Sequence, residues 1–329
     1  MSVVVTGSSG LIGTALVRAL RDRGHSVVRL VRRPPAGADE AFWDPREGVL
    51  DPGLLEGAEA VVHLAGAGIA DRRWTDAYRR ELLASRVDST RLIATTVAGL
   101  GRPPRVLLSA SAMGIYGDTG DRAVDESAKL PVGPSTEPGT SPAATAGAAP
   151  APPAEPSPQA PGLWLAGLAA AWEAETVPAA EAGVRVVLLR TGHVLTRDGG
   201  FLGKQLPLFR LGLGAPLGSG RQYTSWITME DWLGAVEFLL AGSAAGAAGP
   251  VNLTAPNPVT NAEFTKALGR ALGRPTLPVA VPPFVLRAAL GALADEGVLI
   301  GQRVLPARLL EMGYRFRHPH VDEALAAIL

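Results

Sequence analysis

The stretch Thr6-Gly7-Ser8-Ser9-Gly10-Leu11-Ile12-Gly13 decides the fold. It follows a β-branched run, Val3 to Thr6, and opens a helical pattern from Leu11 to Arg23 that Gly24 closes at C′. A second β-rich run, Ser26 to Val31, comes next. Strand, tight turn, helix and strand within about thirty residues make one βαβ unit. Gly7 permits the turn, Gly10 lets backbone approach a pyrophosphate, and Gly13 lets the helix pack closely on the strand. An anion then meets the free N–H groups and the positive end of the helix dipole, beside Ser9, Leu11 and Ile12. A glycine trio alone is a common turn; its place between first strand and first helix is what points to a dinucleotide.

The alternation continues outward. Ala58 to Leu64, Val106 to Ser109 and Val184 to Leu189 read as buried strands, and Thr75 to Leu100 carries helical periodicity. The expected fold is α/β: a Rossmann-type doubly wound parallel sheet, helices on both faces, over residues 1–250. Residues 131–162 interrupt it with ten prolines, two charges and no aromatic residue, the composition of a disordered loop. Residues 251–329 read as a smaller, mostly helical C-terminal region closing a substrate cleft, with the capping-box pattern Thr260 to Glu263 opening one helix.

Composition excludes several classes. Lys plus Arg equals Asp plus Glu at 31 each, without the basic excess of nucleic-acid or anionic-membrane binders, so neither partner is expected. The chain has no Cys, which removes disulfides and thiolate chemistry, and its five His show no metal-site spacing, so no metal is expected. No apolar run reaches the roughly 18 residues a membrane span requires. A strand by Val3 leaves no room for a signal peptide, and the expected compartment is the cytoplasm.

About twenty residues past Gly13, where NAD sites place a carboxylate for the ribose hydroxyls, the chain has Arg32 and Arg33. A guanidinium offers a 2′-phosphate a planar, charged fork, so NADP(H) is the expected cofactor. The alternative is two arginines that solvate a loop.

Beyond TGSSGLIG the chain carries HLAGAGIADRRWT (63–75), SRVDSTRLI (85–93), LLSASAMGIYGD (107–118), LLRTGHVL (188–195), FRLGLGAPLGSGRQYTSWITMEDW (209–232), VNLTAPNPVTNAEF (251–264) and GQRVLPARLLEMGYRFRHP (301–319). With these it resembles the atypical extended short-chain dehydrogenase/reductases of the epimerase family, a branch with its own small C-terminal domain. The resemblance spans nearly the whole chain except the Pro/Ala insertion. It implies that Leu64 and Ala65 line the cofactor, that Glu81 and Arg86 reach it, and that Val194 lies beside the nicotinamide. On the residues alone, Glu81 and Arg86 read equally as solvated helix charges.

The resemblance also implies a Tyr-x-x-x-Lys helix. In Gly162 to Glu175, with Glu173 as the following acid, Leu165 and Ala169 stand in those places, so the usual proton relay is missing. Ser109 and Ser111 end the fifth strand, where open α/β sheets bind ligands. Ser111 is the candidate catalytic hydroxyl, and Tyr116 the substitute phenol or a structural group. Arg73, Trp74, Glu126, Arg190, His193, Lys204, Arg221 and Trp226 are further polar candidates near the cleft, and Asp231 reads as a helix cap. Two functions follow: an NADP(H)-dependent oxidoreductase or epimerase-like enzyme on a small polar substrate, or a catalytically silent NADPH-binding module that holds a partner.

Overall fold

The computed structural model describes residues 1–132, 161–241 and 246–329. All but the ends of the expected 131–162 insertion lies outside the described residues.

In chain order the first half comprises β1 (Ser2–Thr6), α1 (Leu11–Asp22), β2 (Ser26–Val31), β3 (Glu40–Phe42), β4 (Ala60–His63), α2 (Asp76–Ala98), β5 (Val106–Ala112) and β6 (Ala123–Val124). There follow α3 (Leu163–Ala174), α4 (Val177–Glu181), β7 (Arg185–Thr191), β8 (His193–Leu195), α5 (Gly200–Arg210), β9 (Tyr223–Thr224), β10 (Trp226–Thr228), α6 (Met229–Leu240) and β11 (Gly249–Leu253). The tail holds β12 (Val259–Thr260), α7 (Asn261–Ala271), α8 (Pro283–Leu290), β13 (Arg303–Val304), α9 (Ala307–Glu311) and α10 (Val321–Ile328).

Seven strands form one sheet in the order β11-β7-β5-β4-β1-β2-β3, and every pairing in it is parallel. This is the expected Rossmann-type doubly wound α/β fold. Both faces are covered, which is why β1 is a continuous apolar run: Val3 and Val5 pack with Leu16 and Leu20 of α1, while Val4 packs with Ile93 and Val97 of α2. Helix α1 ends as expected, with Gly24 at φ +77° and the His25 and Gly24 N–H groups on the Leu20 and Arg21 carbonyls.

Three elements differ from the sequence-based expectation. Strand β11 runs across the expected boundary at residue 250 with Pro250 inside it, because a proline is tolerated on an edge strand. On its outer side the Arg308 guanidinium donates to the Ala248 and Pro250 carbonyls, and Glu126 accepts the Asn252 N–H. The run Pro282 to Ala294 reads as one helix, but α8 stops at Leu290, where Gly291 turns left-handed at φ +62°; a π-turn then covers Ala294–Val298. Asp231 is not the cap of α6. Thr228 is, accepting the Asp231 N–H at 3.0 Å.

Asp231 instead anchors the tail. Its fully buried carboxylate accepts from the backbone N–H groups of Arg317 (2.8 Å) and His318 (3.0 Å) and from the Thr228 hydroxyl. The tail shares a core with α5, β8 and β10, in which Phe264 and Leu268 of α7 and Val321 and Leu325 of α10 meet Leu195, Leu202, Leu206 and Trp226. Among the described residues no helix is long and apolar enough to cross a membrane, and no cluster of side chains could hold a metal ion.

Replacing Asp231 with Ala removes a buried carboxylate acceptor from two part-buried N–H donors and the Thr228 hydroxyl, and should lower unfolding free energy by about 2 kcal/mol in a denaturant titration.

Candidate functional site

The glycine loop joins β1 to α1 by backbone contact. Gly7 sits at φ +64°, and a Cβ there would lie 2.6 Å from the Leu64 carbonyl oxygen. A Cβ on Gly13 would lie 2.2 Å from the Gly7 oxygen. At Gly10 the nearest atom would be 3.3 Å away, so its face opens outward while its conformation starts the helix without a side-chain cap. The first N–H groups of α1 are thus left for an outside acceptor.

Above them lies a cleft of about 520 Å³. Gly7 to Gly10 form its floor. One wall is Leu30 to Arg33, at and just past the end of β2, with Trp43, Pro45 and Arg46. The facing wall is Leu64 to Gly66, after β4, with Glu81, Ser85, Asp88 and Ser89 of α2. Three guanidinium groups, Arg32, Arg33 and Arg46, therefore stand on one side. Arg33 forms a two-pronged pair with Glu40 at 2.7 Å, and that hydrogen bond, with one from the Ala36 N–H, holds the Glu40 carboxyl down at about 2. The sequence reading missed Trp43 and Arg46. Trp43 directly follows β3, and Arg46 arrives through the turn between Asp44 and Val49, which pair as a bridge.

The remaining cofactor candidates lie around this cleft in different ways. Ser9 and Gly10 are exposed in its floor, while Ile12 is half-buried against the sheet core. Leu11 faces the Gly199-Gly200 turn: a Cβ on Gly200 would lie 3.1 Å from Leu11 Cδ2 and 4.0 Å from the Val194 oxygen, bringing Leu11 and Val194 together beyond the cleft's lining. Glu81 is half-buried, 3.8 Å from Arg72. Arg86 lies beneath the wall, donating to the Ala67 and Leu82 carbonyls and stacking 5.1 Å over Trp172. Burial lowers its pKa to about 10, so it stays charged at neutral pH.

The position of Leu64 and Ala65 is set by Thr6. Its hydroxyl oxygen accepts both their N–H groups, at 3.0 and 3.2 Å, and lies 2.8 Å from His63 Nδ1. With both acceptor sites taken, the Thr6 proton goes to Nδ1, which puts the imidazole proton on Nε2, facing Thr90 Oγ1 at 3.0 Å. Burial pushes His63, fully enclosed, down to about 3 and His193, half-buried and stacked on Phe201, down to about 4.

The two expected catalytic hydroxyls are not on the cleft wall. The Ser111 hydroxyl donates to Glu173 at 2.6 Å, and Glu173 is gripped by Arg190 through Nε and Nη2, both at 2.8 Å. Arg190 Nη1 donates to the Tyr116 oxygen at 3.0 Å, and the Tyr116 hydroxyl donates to Asn252 at 2.8 Å. This array is buried: burial raises the Tyr116 phenol, and Glu173 holds Arg190 above its ordinary value although burial opposes it. Ala169, at the place of the missing Lys, packs with Met113, Ile115 and Tyr116. Ser109 is buried, its hydroxyl without a partner among the described residues. Of the other candidates, Glu126 serves β11, Trp74 donates to the Ile69 carbonyl, Lys204 donates to the Ala70 carbonyl, and Trp226 is core. Arg73 and Arg221 are exposed.

Residues 3–141 match the NAD dependent epimerase/dehydratase family, and residues 281–328 match a domain of unknown function, DUF1731. The chain is 46% identical over 323 residues to epimerase family protein Mb2239 of Mycobacterium bovis, covering 98% of this chain and 96% of that one. It is 33% identical over 331 residues to human epimerase family protein SDR39U1, covering both chains completely. The crystal structure of human SDR39U1 (isoform 2) with NADPH superposes with a TM-score of 0.81 at 31% identity, covering 100% of this chain and 99% of that one.

The His63 assignment predicts an acid limit on stability. A histidine neutral in the fold but titrating at 6.5 when unfolded contributes fully above pH 6.5, and the contribution is lost as pH falls from 6.5 toward about 3. Denaturant midpoints across that window should fall less steeply for His63→Asn, by up to about 1.4 kcal/mol per pH unit.

Proposed function

The chain belongs to the epimerase family, and on that premise we propose that it binds NADP(H) and acts as an oxidoreductase or epimerase-like enzyme on a small polar substrate. One observation carries the cofactor part: an open glycine face at a helix N-terminus lies across one cleft from three guanidinium groups. In this reading the first N–H groups of α1, with Gly7, Ser9, Gly10 and Gly13 shaping the turn, hold the pyrophosphate. Arg32 and Arg33 take the 2′-phosphate, Glu40 fixing Arg33 in place, and Arg46 adds a third cation that the sequence reading did not include. Leu64 and Ala65, held by Thr6, form the facing wall with Glu81, and Arg86 supports their loop from below. Leu11 and Val194 flank the nicotinamide end together with Ile12. When bound, the nicotinamide supplies or accepts a hydride.

Ser111 and Tyr116 enter this proposal as positioning residues. Their hydroxyls are spent on Glu173 and Asn252, and the array they belong to ties the carboxyl ends of β5, β7 and β11 to α3. That same fact favours the second reading, an NADPH-binding module without turnover: Leu165 and Ala169 replace the Tyr and Lys, and neither nearby hydroxyl is free to replace them. Turnover of NADPH across a panel of small carbonyl compounds decides for the enzyme. Tight binding without turnover decides for the module.

NADPH should bind more tightly than NADH, and Arg46→Ala should weaken NADPH about tenfold or more while leaving NADH unchanged, one charge-assisted hydrogen bond being worth about 1.5–3 kcal/mol. Equal affinity of the parent for both, read by fluorescence titration, removes the 2′-phosphate assignment. For Tyr116→Phe we expect unchanged NADPH affinity and about 1–2 kcal/mol less stability. A collapse of turnover without loss of stability would return Tyr116 to the reacting centre.

A further inference from the structure

We propose that the face formed by the end of α5, the paired segments 211–217 and 275–281, and helix α8 docks onto an anionic lipid surface. The two segments run side by side: the Leu277 N–H donates to the Gly214 carbonyl, the Val281 N–H to the Pro216 carbonyl, and Leu217 and Val281 form a parallel bridge. Large apolar side chains stand out from them, with Leu211 at 73%, Val279 at 74% and Phe284 at 71% exposure, accompanied by Leu213 and Val285. In α8, Pro283–Leu290, only Leu286 is buried. An apolar helix of a folded domain ordinarily buries a stripe of side chains, so this one lacks the surface it was built to meet.

Charge says what that surface is. Residues 199–229 and 264–294 contain seven Lys or Arg and no Asp or Glu. Since the whole chain balances 31 bases against 31 acids, the remainder is left with seven acids in excess. The neutral total therefore conceals a segregation that the whole-chain count could not register. Arg270 and Arg287 are paired with Asp322 and Asp295, whereas Arg210, Lys266 and Arg274 form no ion pair among the described residues. They border the apolar strip directly: Lys266 and Arg274 line a shallow depression with Pro275, and Pro275 lies against Gly212. Exposed aliphatic and aromatic groups rimmed by unpaired cations match the interface of a bilayer with anionic headgroups. A second copy of this chain is the poorer occupant, because a self-complementary contact would set these cations against their own images.

The test is sedimentation of the full chain with phosphatidylcholine vesicles, with and without added phosphatidylglycerol. We expect binding only to the mixed vesicles, weakening as salt is raised. Arg210→Glu with Arg274→Glu should lower partitioning roughly 25-fold or more, at about fivefold per cation removed. Val279→Ser with Phe284→Ser should lower it by a comparable factor, and both variants should keep parental NADPH affinity as proof of folding. Failure to bind the mixed vesicles, unchanged binding by both variants, or a solution dimer that Phe284→Ser dissociates would each overturn the proposal, the last assigning the face to self-association.

Discussion

Backbone touching backbone at Gly7 and Gly13 is the constraint on which the rest of the molecule depends. A methyl group at Gly13 would sit 2.2 Å from the Gly7 oxygen, and one at Gly7 2.6 Å from the Leu64 oxygen. Three segments, β1, α1 and the exit of β4, are therefore closer than any side chain would allow. That closeness lowers the start of α1 to the floor of the cleft and sets the Leu64-Ala65 wall at its edge. The valine run of β1 follows from the same arrangement, since a central strand with helices pressed on both faces has no side left for water.

Around this contact the molecule uses buried polar groups as fasteners. Thr6, His63, Thr90 and Trp172 form one chain of hydrogen bonds under the cleft, in which the Thr6 hydroxyl donates to His63 and the His63 and Trp172 ring N–H groups both end on the Thr90 oxygen. Ser111, Glu173, Arg190, Tyr116 and Asn252 form a second, across the carboxyl ends of the strands. Such arrays are costly when half satisfied and rigid when complete. Their position suits a scaffold that must hold loops still around a bound molecule.

How much of this could be read in advance depended on how local each signal is. The glycine loop, α1 and its Gly24 terminus, β2 and the Thr260 capping box are each written within a few consecutive residues, and the structure has them where the pattern put them. The place of Arg32 and Arg33 beside the glycine loop was legible from their distance past Gly13. The partners of Ser111 and Tyr116 were not, because Glu173 lies 62 residues from Ser111 and Asn252 lies 136 from Tyr116. Trp43 and Arg46 were missed for a related reason: only the pairing of the short β3 beside β2 carries them to the cleft. Strand β11 straddles the boundary expected at residue 250, and only the sheet order shows that it lies at an edge, where Pro250 is tolerated.

That edge has a further consequence. A terminal strand normally offers a row of unpaired amides and carbonyls on which another chain's strand can assemble. Here Pro250 has no N–H to offer, Arg308 occupies the Ala248 and Pro250 oxygens, and Glu126 occupies the Asn252 N–H. The opposite border, β3, is only three residues long. Neither border can seed fibrous growth by strand addition, so the seven-stranded sheet is closed to recruitment even though its strands never curl into a barrel.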